Sequence, residues 1–537
     1  NVPRIQPQIG AYDQGDGQAV ESKAEEQLGQ TTGHGGFLGQ SGYEKKGQLK
    51  YSGPMSSRSI GLASLIRHLG AWRAPGAGAA YRQLAGTLRL LILDGRLPLS
   101  VRLPGERDLA QALGVSRTTA SAAYGLLRDD GFLTGGQGAA PQTSLPTGPL
   151  ARQVAVGTEG QTPDVIDLTA AVLPADASVH AAYVRALERL PARLPGHGYE
   201  PAGVEELREA VAAAYRRRGL ATSPGQILIT HGAHNGLVHL LRLTVRPGDP
   251  VVFDHPTYPQ AIDAILGAGA RAIPVALPDA EDQGWDVDGL AAACRRSAAT
   301  MAYLVLDHNN PTGRMMRAAD RARLLAALRG SETLLVLDET MVELTLSGPP
   351  ALTASVVDGP RIVRLGSLSK SVWGGLRIGW IRADRVVIQR LAQSRARFDL
   401  GVPILEQLAA VELLNDGGAA LALRRPLLRA RRDHLRARLA EQLPDWSCPS
   451  PAGGLSLWAR LPAPVSSALT VRAMAEGLRL AAGPRFGIDG GFERNLRLPY
   501  TLAETDLDEA VNRLARAARA VGRPTGPVPA GRRVVAY

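Results

Sequence analysis

The stretch Gly366-Ser-Leu-Ser-Lys370-Ser-Val-Trp-Gly-Gly-Leu-Arg377 contains the only lysine after residue 50 of this 537-residue chain. Every other position after residue 50 that needs a permanent side-chain cation uses arginine. Arginine replaces lysine as a surface charge, but it cannot lose its proton and attack a carbonyl. The stretch also follows an apolar, strand-like run at residues 361–365. It therefore predicts a nucleophilic lysine at a strand end, with a single drifted codon in an Arg-rich chain as the alternative.

Length and composition place limits on the rest of the chain. The length exceeds one ordinary domain, the hydrophobic content of 45% is enough for a substantial core, and no apolar run is long enough to predict a membrane span. Two cysteines, Cys294 and Cys448, cannot by themselves build a disulfide framework or a zinc site. Together with the absence of a secretory signal pattern, this favours a reducing cytoplasm. The net charge of +11 permits a polyanionic partner but does not require one.

Composition shifts along the chain predict several domains. Residues 1–54 are rich in Gly, Gln and Ser, and we expect them to be disordered or outside the native coding frame. A small helical unit is expected within 70–133, followed by a Gly- and Pro-rich linker at 134–163. From 164 to 525, short β-branched runs alternate with helical stretches, which predicts an α/β domain with a largely parallel sheet. Residues 526–537 are expected to form a tail.

The helical unit has the pattern of a helix-turn-helix. Helices are predicted at residues 81–94, 105–113 and 117–128, with Gly114 in the turn and Ser116 as the N-cap of the third helix. The predicted inward residues of that helix are Ala120, Tyr124 and Leu127. Its first turn would then present a cation and hydroxyls to solvent, from Arg117, Thr118 and Thr119. A recognition helix meets DNA in this way, but an ordinary three-helix bundle with a solvated face would show the same pattern.

The amino-acid sequence of this unit resembles the winged helix-turn-helix of the GntR family. The resemblance rests on Leu103-Pro-Gly-Glu106-Arg107, on Leu113-Gly-Val-Ser116-Arg117-Thr118-Thr119, and on the segment from Tyr124 to Leu133. It implies contacts to double-stranded operator DNA from Arg107, Arg117, Thr118 and Thr119. Two positions depart from the family, because Ser121 replaces a basic residue and the wing at 134–140 has no cation. Both departures predict a weaker grip on phosphate by one domain, and hence reliance on a dimer.

Polar residues follow several predicted strands of the large domain, where open α/β sheets place ligands. Gly232-Ala233-His234 precedes a helix and offers free N–H groups to a phosphate. Tyr258 can stack on a planar ring, and Asn310 presents an amide in a turn. Asp338 ends a strand and can keep a pyridine nitrogen protonated.

Together with an imine-forming Lys370 and phosphate ligands from Ser367 and Arg377, these features predict a pyridoxal 5′-phosphate site. Each feature has a structural alternative on its own. Asn-Pro-Thr-Gly is a common turn, and a strand-ending Asp is often an N-cap. The pair His231 and His234 has no carboxylate or Cys partner for zinc, so no metal is predicted.

Over about 360 residues this region resembles the fold-type I aminotransferases. The resemblance implies that Tyr199, in Gly198-Tyr199-Glu-Pro-Ala-Gly203, reaches the phosphate of the neighbouring subunit. It also implies that Arg497, in Asn495-Leu-Arg497-Leu-Pro-Tyr500, binds a substrate α-carboxylate. The family usually has a Tyr two or three residues after the Asp, whereas this chain has Asp338-Glu-Thr340-Met341. That loss predicts intact cofactor binding with at most weak transaminase activity.

The combination over residues 70–525 resembles the MocR-type regulators. It implies a multidomain chain, with an α-helical winged helix-turn-helix and an α/β fold-type I aminotransferase-like domain. It further implies a cytoplasmic homodimer in which pyridoxal phosphate, or its amino-acid aldimine at Lys370, controls operator binding. An amino acid or amine effector is expected, and no membrane partner. The alternative is an active aminotransferase carrying an appended helix-turn-helix, which the complete set of Lys370, Asp338 and Arg497 favours.

Overall fold

The computed structural model describes residues 59–521 except 71, 74–78, 94, 136–139, 146–164, 279–283, 349–358 and 417. The predictions for residues 1–54 and 526–537 lie outside this range, as does most of the linker predicted at 134–163. No helix among the described residues is long and apolar enough to cross a membrane.

The N-terminal head is a winged helix-turn-helix. Its elements are α1 (Leu62–Leu69), α2 (Ala80–Leu93), α3 (Glu106–Leu113), α4 (Arg117–Asp129), β1 (Leu133–Thr134) and β2 (Gln142–Thr143). The three predicted helices occur at their expected places, whereas α1 had no counterpart in the sequence prediction. Leu65 and Leu69 of α1 are buried in the same apolar core as Leu84, Leu88 and Tyr124. This helix therefore belongs to the folded head.

Two local features fix the turn before α4. Gly114 has φ 63° and ψ 34°, the left-handed conformation that suits a residue without a β-carbon. Ser116 Oγ then accepts a hydrogen bond from the Thr119 backbone N–H at 3.2 Å, which caps the next helix. Ala120, Tyr124 and Leu127 are fully buried, as predicted. The turn and the cap thus set the direction of α4.

A seven-stranded sheet organises the large domain, with spatial order β4-β10-β9-β8-β7-β5-β6. The strands are β4 (Ile227–Thr230), β5 (Pro250–His255), β6 (Arg271–Ala276), β7 (Met301–Leu304), β8 (Leu334–Asp338), β9 (Ile362–Ser367) and β10 (Gly379–Arg382). Only β10 pairs antiparallel in this sheet, so the prediction of a largely parallel sheet is confirmed. Strands such as β4, β7 and β9 are buried along their whole length, which explains their continuous apolar runs.

Helices cover this sheet, as crossover connections between parallel strands require. They are α5 (Ala177–Arg189), α6 (Glu205–Arg217), α7 (Ala233–Thr244), α8 (Pro259–Gly267), α9 (Val287–Ser297), α10 (Ala318–Ala327), α11 (Arg385–Arg395) and α12 (Ile404–Asn415). Because β5, β7, β8 and β9 run parallel, their carboxyl ends meet at one edge. Tyr258, Asn310 and Lys370 follow these strands and Asp338 ends one of them, so all four are carried to the same edge.

The C-terminal part forms a second layer. It contains α13 (Ala419–Gln442), β11 (Ser456–Arg460), α14 (Ser466–Ala475), β12 (Leu478–Arg479), β13 (Ala481–Ala482), β14 (Asn495–Pro499) and α15 (Glu504–Val521). Strands β11, β14 and β13 form an antiparallel sheet, and β12 pairs with β3 (Ile166–Asp167) from the start of the large domain. That pairing holds the segment after residue 167 against the edge where the site residues gather.

Candidate functional site

Lys370 lies just beyond the end of β9. Its Nζ donates a hydrogen bond to the Ala171 carbonyl oxygen at 3.0 Å. Burial, together with the smaller effects of the Arg497 and Arg377 charges, lowers the pKa of Lys370 to about 8, while Asp338 acts in the opposite direction. Removal of the amine from water is the largest of these causes. A lysine with this pKa is substantially neutral at mildly alkaline pH, which makes it a nucleophile.

Asp338 is held on both carboxylate oxygens. Tyr303 Oη donates to Oδ2 at 2.6 Å, and the backbone N–H and Oγ1 of Thr340 donate to Oδ1 at 3.0 Å and 2.7 Å. Burial and the neighbouring Asp338 charge raise the pKa of Tyr303 well above its ordinary value, so its hydroxyl remains a donor. Thr340, two residues after Asp338, therefore contacts the aspartate itself.

The sequence analysis did not identify Tyr303 as a site residue. Tyr303 lies in an apolar strand whose residues are buried, and the only sign of a special role was a hydroxyl among apolar side chains. Buried tyrosines usually find a partner for their hydroxyl. The identity of that partner depends on the parallel pairing of β7 with β8, which no local pattern reveals.

The N-terminus of α7 and the Arg377 side chain lie close together. Gly232 has φ 82°, and a β-carbon at this position would lie 2.8 Å from Arg377 Nη2. Arg377 Nη2 also donates to the His231 carbonyl at 2.8 Å. Ser367 ends β9 and lies at the same edge of the sheet. It pairs with Gly379 of β10, and Gly379 pairs in turn with Thr230 at the end of β4. Free N–H groups at a helix N-terminus beside a guanidinium are a suitable environment for a phosphate.

Ser367 already has partners within the chain. Its hydroxyl donates to the Ile378 carbonyl at 3.0 Å, accepts from the Ser369 N–H at 3.1 Å, and lies 2.9 Å from Ser369 Oγ. To bind a phosphate oxygen, the hydroxyl would have to turn its single hydrogen away from the Ile378 carbonyl, so the predicted role of Ser367 stays a prediction.

Two buried polar atoms at this edge have no partner among the described residues. They are His234 Nδ1 and Asn310 Oδ1. The rings of His234 and Tyr258 meet edge to face at 6.2 Å. Burial lowers the pKa of His234 and raises that of Tyr258 to about 12, so both are neutral near pH 7. Buried polar atoms usually have a hydrogen-bond partner in folded proteins, so these two are available to bind a polar ligand.

Arg497 is buried in β14, and its guanidinium lies 4.9 Å from the centre of the Phe486 ring. Its Nη2 donates a hydrogen bond to the Thr169 carbonyl, and its Nε has no partner among the described residues. Burial lowers the pKa of Arg497 to about 10, so the group remains cationic near pH 7. A buried guanidinium with an unused donor is well suited to bind a carboxylate.

The segment around Thr169 and Ala171 is a second feature that the sequence prediction missed. Its two carbonyl oxygens accept hydrogen bonds from Arg497 and Lys370, respectively. Backbone carbonyls carry no signature in the sequence. The contact depends on the pairing of β3 with β12, which are far apart in the chain.

Tyr199 is not brought to this edge within the chain. Its side chain is 57% exposed, and its ring stacks on His197 at 5.7 Å. Its expected contact with a neighbouring subunit's phosphate stays a prediction. Leu194, five residues earlier in the chain, is exposed as well.

The candidate DNA interface of the head agrees with the predicted exposure at three of four positions. Arg107, Arg117 and Thr118 are exposed. Thr119 was expected to face solvent but is half-buried, because its Oγ1 lies 2.8 Å from Ser116 Oγ at the helix cap. The exposed cations of the expected DNA-contact surface are therefore Arg107, near the start of α3, and Arg117, at the start of α4.

The residues at the sheet edge fit pyridoxal 5′-phosphate. A primary amine, a carboxylate held by donors, a helix N-terminus with an arginine, and polar atoms without partners lie together there. The described residues contain no cluster of three or more His, Cys, Asp or Glu side chains that could hold a metal ion.

Comparison with known proteins agrees with both parts of this architecture. Residues 163–514 match the family "Aminotransferase class I and II", and residues 80–140 match "Bacterial regulatory proteins, gntR family". The chain belongs to the class I and II aminotransferase family and carries a GntR-type helix-turn-helix domain at its N-terminal side. This combination is the architecture of the MocR-type transcriptional regulators.

Three relatives illustrate the likeness. The chain is 27% identical to the uncharacterized HTH-type transcriptional regulator YisV of Bacillus subtilis, over 82% of this chain and 96% of the relative. It is 28% identical to the probable rhizopine catabolism regulatory protein MocR of Rhizobium meliloti, over 68% and 78%. It is 31% identical to the 2-aminoadipate transaminase of Thermus thermophilus, over 60% and 80%.

Solved structures resemble the large domain. The multiple substrate aminotransferase of Thermococcus profundus superimposes with a TM-score of 0.61 at 27% identity, covering 67% of this chain and 93% of that structure. LysN of Thermus thermophilus, an α-aminoadipate aminotransferase complexed with N-(5′-phosphopyridoxyl)-L-leucine, gives 0.59 at 28% identity, covering 67% and 93%. The likeness to each regulator above extends over more of the chain than the likeness to either enzyme structure.

Proposed function

We propose that this chain is a transcriptional regulator whose binding to operator DNA is controlled by pyridoxal phosphate and an amino acid at the sheet edge. The observation that carries the proposal is the gathering of Lys370, Asp338 and Arg497 at one edge, in a chain that also carries a GntR-type head. When bound, pyridoxal phosphate supplies an aldehyde for amines and a ring that withdraws electrons.

In this proposal each residue has a defined task. Lys370 provides the amine that holds the cofactor, and its lowered pKa makes that amine available near pH 8. Asp338, oriented by Tyr303 and Thr340, faces the ring nitrogen. Gly232 to His234, Ser367 and Arg377 hold the phosphate, with Tyr258 and Asn310 beside the ring and Tyr199 supplied by a second subunit. Arg497 binds the effector carboxylate.

An active aminotransferase with an appended helix-turn-helix is the second candidate. The site supports it because the amine, the carboxylate and the carboxylate-binding arginine are all in place. The run Asp338-Glu-Thr340-Met341 counts against efficient turnover, because it lacks the Tyr that the resemblance to the aminotransferases implies two or three residues after the aspartate. Thr340 contacts Asp338 instead.

A direct experiment separates the two candidates. Full-length protein, with and without pyridoxal phosphate, is used to select duplexes from a random-sequence library, and the affinity for the selected duplex is measured in both states. We expect the cofactor, alone or with added amino acids, to change the affinity by roughly 5–150-fold, the usual range of allosteric coupling. Unchanged affinity together with multiple turnovers of amino acid to keto acid would favour the enzyme.

A further inference from the structure

The head contacts the C-terminal part of the large domain through two of its helices. Helix α2 packs on α14. Gly86 approaches so closely that a β-carbon there would lie 3.0 Å from Val471 Cγ1. A glycine permits this close approach of two helices, so the head is docked on the body by shape as well as by charge.

The end of α1 contacts a loop of the body. Gly490 has φ 73°, and a β-carbon on it would lie 2.5 Å from the Arg67 carbonyl oxygen. Beside it, Arg67 Nε and Asp489 Oδ1 are 3.5 Å apart. Both side chains are largely exposed, so the close backbone approach contributes more to docking than the ion pair does. We call residues 483–493 the connecting segment.

The connecting segment also contacts Arg497. Phe486 lies beneath its guanidinium, with 4.9 Å between the guanidinium carbon and the ring centre. The Phe486 carbonyl accepts a hydrogen bond from the Thr257 N–H at 3.0 Å, which ties this residue to the one before Tyr258. The Trp458 ring contacts Phe486 at 5.4 Å and Phe492 at 6.0 Å, so an aromatic cluster spans the segment.

His255 joins the middle of the segment to the site. The Ile488 N–H donates to His255 Nε2 at 3.0 Å, and the His255 and Phe492 rings are 4.6 Å apart. Burial lowers the pKa of His255 to about 4, so the ring is neutral and accepts this bond near pH 7. His255 ends β5 and precedes Tyr258 by three residues, so its position and that of the site ring are linked by a short stretch of backbone.

The last residue of the segment is bonded to the helix that receives the head. Glu493 Oε2 accepts from the Ser467 N–H at 3.0 Å, and Oε1 accepts from Ser467 Oγ at 2.7 Å, at the N-terminus of α14. The segment therefore contacts α1 directly and holds the N-terminus of the helix on which α2 rests.

The backbone of the segment is strained at two residues. Asp489 has φ 56° and Phe492 has φ 68°. A left-handed conformation is uncommon for a residue with a β-carbon and costly for a bulky one. Such residues persist only where the surroundings hold them, and they cluster at switches.

We propose that the connecting segment transmits the occupancy of Arg497 to the DNA-binding head. This inference rests on the proposed function, and it specifies how the site and the head communicate. A carboxylate bound by Arg497 moves the guanidinium away from Thr169 and Phe486. The Phe486, Trp458 and Phe492 cluster then rearranges, the backbone around Gly490 relaxes, and the docking of α1 and α2 loosens. The head becomes free to adopt a different orientation toward DNA.

The test compares two probes, of which only the one that carries an amino acid has an α-carboxylate. Full-length protein is loaded with pyridoxamine 5′-phosphate, which has no carboxylate, or with N-(5′-phosphopyridoxyl)-L-leucine, which has one. Calorimetry establishes binding of each, and amide hydrogen exchange is followed in α1 and α2. We expect the leucine adduct to speed exchange in both helices by about 5-fold or more over the carboxylate-free probe, as a coupling in the usual range implies.

A pair of glycine variants supplies the matched control. Gly490→Ala places a β-carbon against the Arg67 carbonyl, whereas Gly330→Ala places one at a similar φ, 77°, with nothing within 4 Å. We expect Gly490→Ala to show fast exchange in α1 and α2 with either probe, and Gly330→Ala to respond like the unaltered protein.

Three results would overturn the proposal. The first is unchanged or slower amide exchange with the leucine adduct in the unaltered protein although both probes bind; the relay would then be wrong while the cofactor site stands. The second is a full increase in exchange on binding of the leucine adduct by Gly490→Ala. The third is failure of either probe to bind, which would remove the proposed function and the relay together.

Discussion

Lys370 and Arg497 are bonded to one short stretch of backbone, although they are far apart in the chain. Lys370 Nζ donates to the Ala171 carbonyl at 3.0 Å, and Arg497 Nη2 donates to the Thr169 carbonyl. The two cations that would hold a cofactor and a carboxylate thus use the same segment as their partner. A ligand that takes either cation away from this segment must compete with its carbonyl oxygens.

The lowered pKa of Lys370 predicts the pH dependence of cofactor uptake. The neutral amine is the reactive form, and it becomes the major form as pH rises through about 8. We expect the rate of covalent pyridoxal phosphate uptake to rise between pH 6.5 and 9 with a midpoint near 8. Stopped-flow absorbance measures the rate. Lys370→Ala should lose the near-visible band and the borohydride-trapped adduct. A midpoint near the ordinary lysine value, or a band that persists in this variant, would contradict the assignment.

Tyr303→Phe tests the support of Asp338. The variant removes the hydroxyl that donates to Oδ2 at 2.6 Å and leaves a buried carboxylate without that donor. We expect the free energy of unfolding to fall by about 1.5–3 kcal/mol, as for hydrogen bonds to charged groups. Tyr500→Phe is the control, because its buried hydroxyl makes only a 3.3 Å bond to a neutral carbonyl. Denaturant titration compares the two, and an equal loss in both would show that Asp338 gains nothing special from Tyr303.

Arg497→Gln tests the carboxylate site. We expect affinity for N-(5′-phosphopyridoxyl)-L-leucine to fall by about 10–100-fold, in line with loss of a charge-assisted hydrogen-bonded pair. Affinity for pyridoxamine 5′-phosphate should change little, since that probe has no carboxylate. Calorimetric titration of both probes provides the comparison. Equal weakening of both would mean that the variant disturbs the fold of the site and not a specific contact.

Arg117→Ala tests the recognition helix. Arg117 is exposed at the first residue of α4, and one good base contact contributes about 1–3 kcal/mol of discrimination. We expect about 5–150-fold weaker binding to the selected duplex, with cofactor uptake unchanged. Arg82→Ala, in an exposed arginine of α2, serves as the control and should bind normally. If both variants bind the duplex as the unaltered protein does, Arg117 makes no contact that matters.

Ser121→Arg tests the departure from the GntR pattern. Ser121 lies on α4 one turn beyond Arg117 and is half-buried. Restoring a cation should add about one phosphate contact, and the slope of log affinity against log salt should steepen by about 0.9. Binding across a series of salt concentrations gives the slope. A variant with tighter binding but an unchanged slope would place residue 121 away from the DNA backbone.

Much of the architecture could be predicted from local patterns. Period and composition located the helices of the head, and Gly114 and Ser116 marked the turn because their conformational and capping preferences are properties of single residues. Continuous apolar runs predicted buried parallel strands. Polar residues at the ends of those runs suggested Lys370, Asp338 and the segment Gly232-Ala233-His234 as site residues, because the carboxyl ends of parallel strands share an edge. Helix α1 was missed because the helical unit was predicted to begin only after it, although Leu62, Leu65, Ile66 and Leu69 recur at helical spacing.

The sequence by itself determined which groups are available: one lysine in an arginine-rich body, a carboxylate at a strand end, and a capped helix with an exposed arginine. Only the tertiary structure decided their partners. Tyr303 meets Asp338 because β7 lies beside β8, and Thr169 meets Arg497 because β3 pairs with β12 far along the chain. Gly490 meets Arg67 because the head rests on the body. Hydrogen bonds and close contacts depend on distances of a few ångströms in space, and residues remote in sequence reach such distances only through packing of the whole chain.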